Sequence, residues 1–337
     1  MTSPTRVLLL SPAFHGYWRS IERALAARGH DVRVLAYDRH TGPRRLAAKL
    51  AHDLPERLGA DSARRRALLG ARARAAVRTH DPDVVVVVKG DAFDDGFWDL
   101  LEQRRQRRVL WLYDELRRTG HTDATLAAAG PVASYSPLDV AELTRRGLVA
   151  RHVPLFHDPD EPVHPTATAD EVVLVGARYP SREALLVRLR SAGVPVRGYG
   201  RDWSGHPVDR LRTWRLATPD VPAGRDLDRG AAYGAMAGAR AALNVHGDQD
   251  GFTMRTFEAC GVGALQLLDR ADVGAYYDPG TEVAVFADAD EAVGLAQRAA
   301  ADPAWATRLR EAGRRRTLAE HTVTHRVRDL EDLWTRT

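Results

Sequence analysis

Residues 84–88 read Val-Val-Val-Val-Val, set between Asp83 and Lys89. β-Branched side chains are stiff at χ1 and favour extended backbone, and five in a row put apolar groups on both faces of a strand. A sheet with one wet face cannot accept such a strand. It belongs in the interior of a parallel sheet covered on both sides by helices. The same grammar recurs along the first half of the chain. "RVLLL" (6–10), "VRVLAY" (32–37), "RVLWLYD" (108–114) and "VASYS" (132–136) are further strands. Helical periodicity marks "YWRSIERALAARG" (17–29, closed by Gly29), Arg-rich segments over about 43–79, a stretch near Asp94 to Arg105, and Leu138 to Arg146.

Between Pro154 and Asp170 lie four prolines and no periodicity, the composition of a linker. Beyond it the alternation restarts. "EVVLVG" (171–176), a helix over 181–191 opened by Ser181, "VRGYG" (196–200) and a helix over about 229–239 come first. "ALNV" (242–245), a helix over 253–261, "ALQLL" (264–268), "EVAVFAD" (282–288) and terminal helices follow. At 337 residues the chain exceeds one core. The expected fold is α/β: two doubly wound, Rossmann-like domains, 1–153 and 171–321, joined by a linker over 154–170. Ligands of such sheets bind beyond the carboxyl ends of the strands, so the two domains are expected to face across a cleft.

Composition narrows the function. The 44% hydrophobic and 28% charged content is that of a water-soluble globular chain. The five-valine run is far short of the roughly 20 residues that span a bilayer, and the N-terminus does not read as a signal peptide, so a cytoplasmic protein without a transmembrane segment is expected. One cysteine, Cys260, excludes an internal disulfide and a cysteine zinc site. The net charge is +4, but only Lys49 and Lys89 among 49 basic residues are lysines, and the arginine runs lie in helix-like segments. Solvated helix faces explain them, and no nucleic-acid partner is expected. There is no GxxxxGK[ST] phosphate loop, and no lysine after residue 89 to hold pyridoxal phosphate.

The stretch "LNVHGDQDGFTMRTFEACGVGALQLLD" (243–269) carries the chemistry. A buried strand runs through a polar, Gly-containing loop into a helix with Arg255 and Glu258 three residues apart, on one face near its N-terminus. Helix N-termini favour anions, and an added glutamate suits a sugar hydroxyl. "DQD" (248–250) has the Asp-x-Asp form that can hold a divalent metal, and His321 and His325 stand four apart. The context of each favours a structural or metal-free role, and no metal site is expected.

These blocks resemble the CgeB-like glycosyltransferases of the spore-coat maturation type and, more distantly, glycosyltransferase family 4. The resemblance runs through "DPDVVVVVKGDAF", "RVLWLYDE", "EVVLVGARYPSREALLVRL", "VRGYGRDW" and "DGFTMRTFEACGVGALQLLD", and is most specific over 250–326. It implies the GT-B fold of two facing Rossmann-like domains, with the first handling the acceptor and the second the nucleotide sugar. It implies that Glu258 accepts hydrogen bonds from the donor ribose. Arg255, Thr256 and the rest of that helical turn would face the diphosphate, helped by Arg178 and Arg182. Gly200 and Trp203 would lie near the base. His15 and Asp114 would project from the first domain as catalytic groups, with Asp250 as the third. Family 4 carries two glutamates with seven residues between them. The resemblance favours retention, but Asp250 stands in the first position here, one methylene shorter, and this departure leaves inversion open.

The implied function is metal-independent transfer of a sugar from a nucleoside diphosphate sugar, a UDP-sugar for preference, to an acceptor hydroxyl. No further cofactor is implied, and the base, sugar and acceptor are not legible. The alternatives are a nucleotide-sugar epimerase on the same fold and an inactive nucleotide-sugar-binding protein. Val323, Val327, Leu330 and Trp334 form one apolar face of a C-terminal helix over about 322–337, which the resemblance places back on the first domain.

Overall fold

The structure, a computed structural model, describes residues 4–39, 63–214, 217 and 219–335. Of the Arg-rich segment expected to be helical, 43–62 lies outside these residues. The chain divides into two compact units. One is built from the described residues up to Pro154 together with those from Val323 on, and the other is Leu155–Thr322.

The first unit holds a six-stranded sheet of β1 (Arg6–Ser11), β2 (Asp31–Ala36), β3 (Val84–Val88), β4 (Arg107–Leu112), β5 (Val132–Ser134) and β6 (Ala150–His152). Every pairing is parallel, in the order β2-β1-β3-β4-β5-β6. All five valines of β3 are buried, as a strand packed on both faces requires. Helices α1 (Tyr17–Ala27), α2 (Ala63–His80), α3 (Asp95–Gln103), α4 (Asp123–Ala129) and α5 (Pro137–Arg145) connect the strands. Gly29, at φ +91, ends α1 by donating to the Ala26 carbonyl. Ser136 caps α5 by accepting from the Asp139 amide at 3.1 Å, so this helix starts one residue before Leu138.

The second unit holds β7 (Val172–Val175), β8 (Val196–Tyr199), β9 (Ala223–Gly224), β10 (Ala241–Asn244), β11 (Gln266–Leu268) and β12 (Ala284–Val285). Their order is β12-β11-β10-β7-β8-β9, again parallel throughout. Around them run α6 (Pro180–Ser191), α7 (Pro207–Thr213), α8 (Arg229–Gly238), α9 (Met254–Gly261), α10 (Ala289–Ala301) and α11 (Pro303–Glu320). Ser181 does not cap α6. The helix starts at Pro180, whose fixed φ and missing N–H suit a first helical position, with Tyr179 before it. The proline-rich segment packs as part of this unit: Leu155, Phe156, His157, Asp158 and Thr168 are buried. α12 (Val323–Thr335) belongs to the first unit and lies on α1 and β4. No helix among the described residues is long and apolar enough to cross a membrane.

Candidate functional site

In a doubly wound sheet the ligand position is the carboxyl edge where strand order reverses. In the second unit that point lies between β7 and β10, since β8 and β9 extend to one side and β11 and β12 to the other. Arg182 spans it. Its Nε and Nη2 donate to the carbonyl of Val245, just past β10, at 2.8 and 2.6 Å, and its Nη1 donates to Ala177, just past β7, at 2.9 Å. A guanidinium has five N–H groups, so two remain for a ligand. Burial pushes its pKa below the ordinary arginine value, which still leaves it charged.

The glycines after β7 and β8 let two loops meet as bare backbone. Gly200 has φ +153, and a Cβ there would lie 2.5 Å from the Gly176 carbonyl oxygen. The Trp203 indole donates to the same oxygen at 2.9 Å. Trp203 has no exposed surface, so it shapes this loop from inside. Arg178 is also buried. It forks onto Glu183 at 2.8 and 2.6 Å and reaches the Ala217 carbonyl at 3.0 Å, holding the entry to α6.

Past β10 the chain turns through 246–252 into α9. Arg255 Nη1 donates to Glu258 Oε2 at 2.7 Å, and Glu258 has no exposed surface. Thr256 points into the unit: its hydroxyl accepts from Asn244 at 2.7 Å, and Asn244 also donates to Gln266 at 3.2 Å. His246 lies 3.4 Å from the same hydroxyl through Nε2. Both its backbone N and its Nδ1 contact Asp269, at 3.0 and 2.8 Å. A carboxylate only accepts, so Nδ1 carries the proton. Asp250 sits on this loop, and its carbonyl is held by Arg270 at 3.0 Å. Helices α6 and α9 and the loop before α9 thus carry Arg182, Arg255, Thr256, Glu258 and Asp250 at the ends of β7, β10 and β11, with Arg178 and Trp203 as inner supports.

In the first unit the order reverses between β1 and β3. His15, in the turn after β1, is exposed with φ +44, and Lys89, directly after β3, has φ +68. Non-glycine residues in this region carry strain of about 1–2 kcal/mol and cluster at functional edges. Lys89 Nζ donates to Asp114, past β4, at 2.7 Å. Burial pulls the Lys89 pKa down, but the Asp114 hydrogen bond and the charges of Asp114, Asp91 and Asp38 outweigh it and leave it raised. Next to Asp114, Glu115 is fully buried. Its carboxylate, after burial itself, pushes the Tyr135 phenol up.

Sequence reasoning missed Lys89, His246, Asp269 and Arg270. A usable signal existed: each follows within three residues of a strand end, at the edge where such sheets bind ligands. Among the described residues, no three His, Cys, Asp or Glu side chains are grouped to hold a metal ion; His321 instead packs its ring against Phe257 and Tyr277, 5.3 and 5.2 Å away.

Residues 178–332 match the model of a family described as glycosyl transferase-like. No curated protein matches the chain. Among solved structures, sucrose-phosphate synthase from Thermosynechococcus elongatus is 17% identical, with 98% of each chain covered and a TM-score of 0.61. HepE from Anabaena, solved in complex with UDP-glucose, is 12% identical over 99% of this chain and 100% of that one, with a TM-score of 0.63. AviGT4, a glycosyltransferase of avilamycin A biosynthesis, is 14% identical over 99% and 98%, with a TM-score of 0.62. The chain has the GT-B fold of these proteins, and the fold together with the match over 178–332 supports a glycosyltransferase enzyme.

Proposed function

We propose that the protein transfers a sugar from a nucleoside diphosphate sugar to an acceptor hydroxyl, and that the second unit holds the donor. The observation that carries this reading is Arg182 at the β7/β10 reversal, with two N–H groups left over, beside the N-terminal turn of α9. As the anomeric bond breaks, negative charge builds on the diphosphate, and preorganised N–H donors in a partly buried site stabilise it. Arg182, Arg255 and the first amides of α9 supply such donors, while Glu258 accepts from the ribose. Gly200 lets the β8 loop come close to the base. Arg178 and Trp203 act on the ligand through the loops they hold, and Thr256 through the N-terminal turn it anchors. A UDP-sugar is the proposed donor, in line with the UDP-glucose bound by HepE.

The acceptor must lose a proton. With retention the departing phosphate takes it, and Asp250 steadies the donor sugar. With inversion Asp114 or His15 is the base, and the hydrogen bond from Lys89 orients the Asp114 carboxylate. Arginines take the place of a metal, so activity should survive EDTA. Loss on chelation and return with magnesium or manganese would instead establish a metal role for Asp248 and Asp250.

The deciding experiment incubates the protein with a panel of nucleotide sugars, with and without candidate sugar acceptors, and follows free nucleoside diphosphate and the donor. Acceptor-dependent release of UDP supports transfer. Conversion of the donor alone means epimerisation, and binding without turnover means a binding protein.

A further inference from the structure

Arg270 follows β11 by two residues and spends three of its five N–H groups on the loop before α9. Nη1 donates to the carbonyls of Gln249 and Gly251 at 2.9 and 3.1 Å, and Nη2 to that of Asp250 at 3.0 Å. Nε and Nη2 also fork onto Asp272 at 2.9 and 2.5 Å. Five N–H groups therefore make five bonds, and the guanidinium carbon lies 4.2 Å from the centre of the Phe252 ring. On its other side the loop is pinned by Asp269 through the backbone and ring of His246.

This arrangement decides where the loop's own donors go. Across a trans peptide, C=O and N–H point in opposite directions. With the carbonyls of 249, 250 and 251 turned to Arg270, the amides of Asp250, Gly251 and Phe252 face away from it, in the chain segment that leads directly into α9. The amides of Gly251 and Phe252, held just ahead of a helix N-terminus, suit a diphosphate or the hydroxyls of the attached sugar.

We infer that Arg270 is the positioning residue of the donor site, and that it holds loop 246–252 so that the amides of Gly251 and Phe252 meet the diphosphate of the donor. The ligand named rests on the donor reading given under Proposed function. A lysine cannot substitute, because a single ammonium with three N–H groups cannot reach three carbonyls and a carboxylate together.

The test has three arms. Amide hydrogen exchange on wild-type protein, with and without UDP, should show UDP slowing exchange at Gly251 and Phe252. Arg270→Ala and Arg270→Lys should speed exchange over 247–254 and leave β7 and β10 unchanged. Calorimetry should show both variants binding UDP at least tenfold more weakly, with methylguanidinium restoring affinity to Arg270→Ala but not to Arg270→Lys. Wild-type protein that binds UDP without protecting Gly251 and Phe252, or variants that bind it as tightly as wild type, would overturn the inference while leaving the donor reading in place. Wild-type protein that binds no nucleoside diphosphate would overturn both, even if the variants loosen the loop. If the variants unfold, the wild-type exchange arm still decides.

Discussion

Glu258 has no solvent-exposed surface, and Arg255 lies over it with a 2.7 Å hydrogen bond. On the donor reading, a diphosphate arriving at the helix N-terminus would draw Arg255 toward it and open the Glu258 carboxylate to a ribose hydroxyl. Donor uptake would then exchange the Arg255–Glu258 bond for an arginine–phosphate pair and a hydroxyl–carboxylate hydrogen bond. Glu258→Ala should weaken UDP binding by about 1.5–3 kcal/mol, the worth of a hydrogen bond to a charged group. Calorimetry that finds the variant and the parent equal in affinity would remove Glu258 from the site. Arg255 and Glu258 were legible in the sequence because an i, i+3 pair on a helix is local. Asp269 and Arg270 were not: their partners lie about 20 residues away, and only the parallel pairing of β10 with β11 brings the two strand ends together.

At the scale of elements, the central strands could be read directly, because burial on both faces leaves an uninterrupted apolar run. The edge strands of the second sheet could not. β9 and β12 have two residues each, too few for any period to show, and "EVAVFAD" contributes only Ala284 and Val285 to the sheet. The proline-rich segment after β6 was equally opaque, since its order comes from long-range partners. The His157 amide donates to the His321 carbonyl at 2.9 Å, and its ring lies against Tyr233 and Gly261. Burial, with Arg229 and Arg314 nearby and Asp158 opposing them, pushes the His157 pKa down to about 4. The unfolded chain binds this proton near pH 6.5 and the folded chain does not until about pH 4, so stability falls as pH drops through that window and levels off below it. The full contribution is about 3 kcal/mol. Denaturant unfolding of the second unit at pH 7 and pH 4.5 should show a stability loss that His157→Gln reduces by about 2–3 kcal/mol. An identical loss in the variant would mean that other groups set the acid limit.

For the whole molecule, the chain passes from the first unit to the second at Pro154/Leu155 and returns at Thr322/Val323, so the last helix completes a unit begun some 300 residues earlier. α12 buries Val323, Val327, Leu330, Leu333 and Trp334, with Trp334 set against His30 at 5.7 Å. Glu331 takes a forked bond from Arg28 at 2.6 and 2.5 Å and a contact from His30 at 2.8 Å, and Arg151 reaches Asp329 at 3.0 Å. Burial alone would raise the Glu331 pKa; the hydrogen bonds from Arg28 and His30 outweigh it and hold it below the ordinary range. This pairing therefore stabilises the unit above the ordinary carboxylate pKa and is lost as pH falls through the lowered value. Five large apolar side chains at about 1.5–3 kcal/mol each amount to roughly 10 kcal/mol, as much as the whole stability of many domains. A chain ending at Thr322 should therefore lose the fold of its first unit. The second unit should stand, because every strand of its sheet and each of the donor groups lies within Leu155–Thr322. The expected result is a truncated protein that binds UDP as the full chain does but has no transferase turnover. Amide exchange should be fast over β1 and β3 and slow over β7 and β10. Protection of β1 and β3 in the truncated chain, or full turnover, would show that α12 is dispensable to the unit it completes.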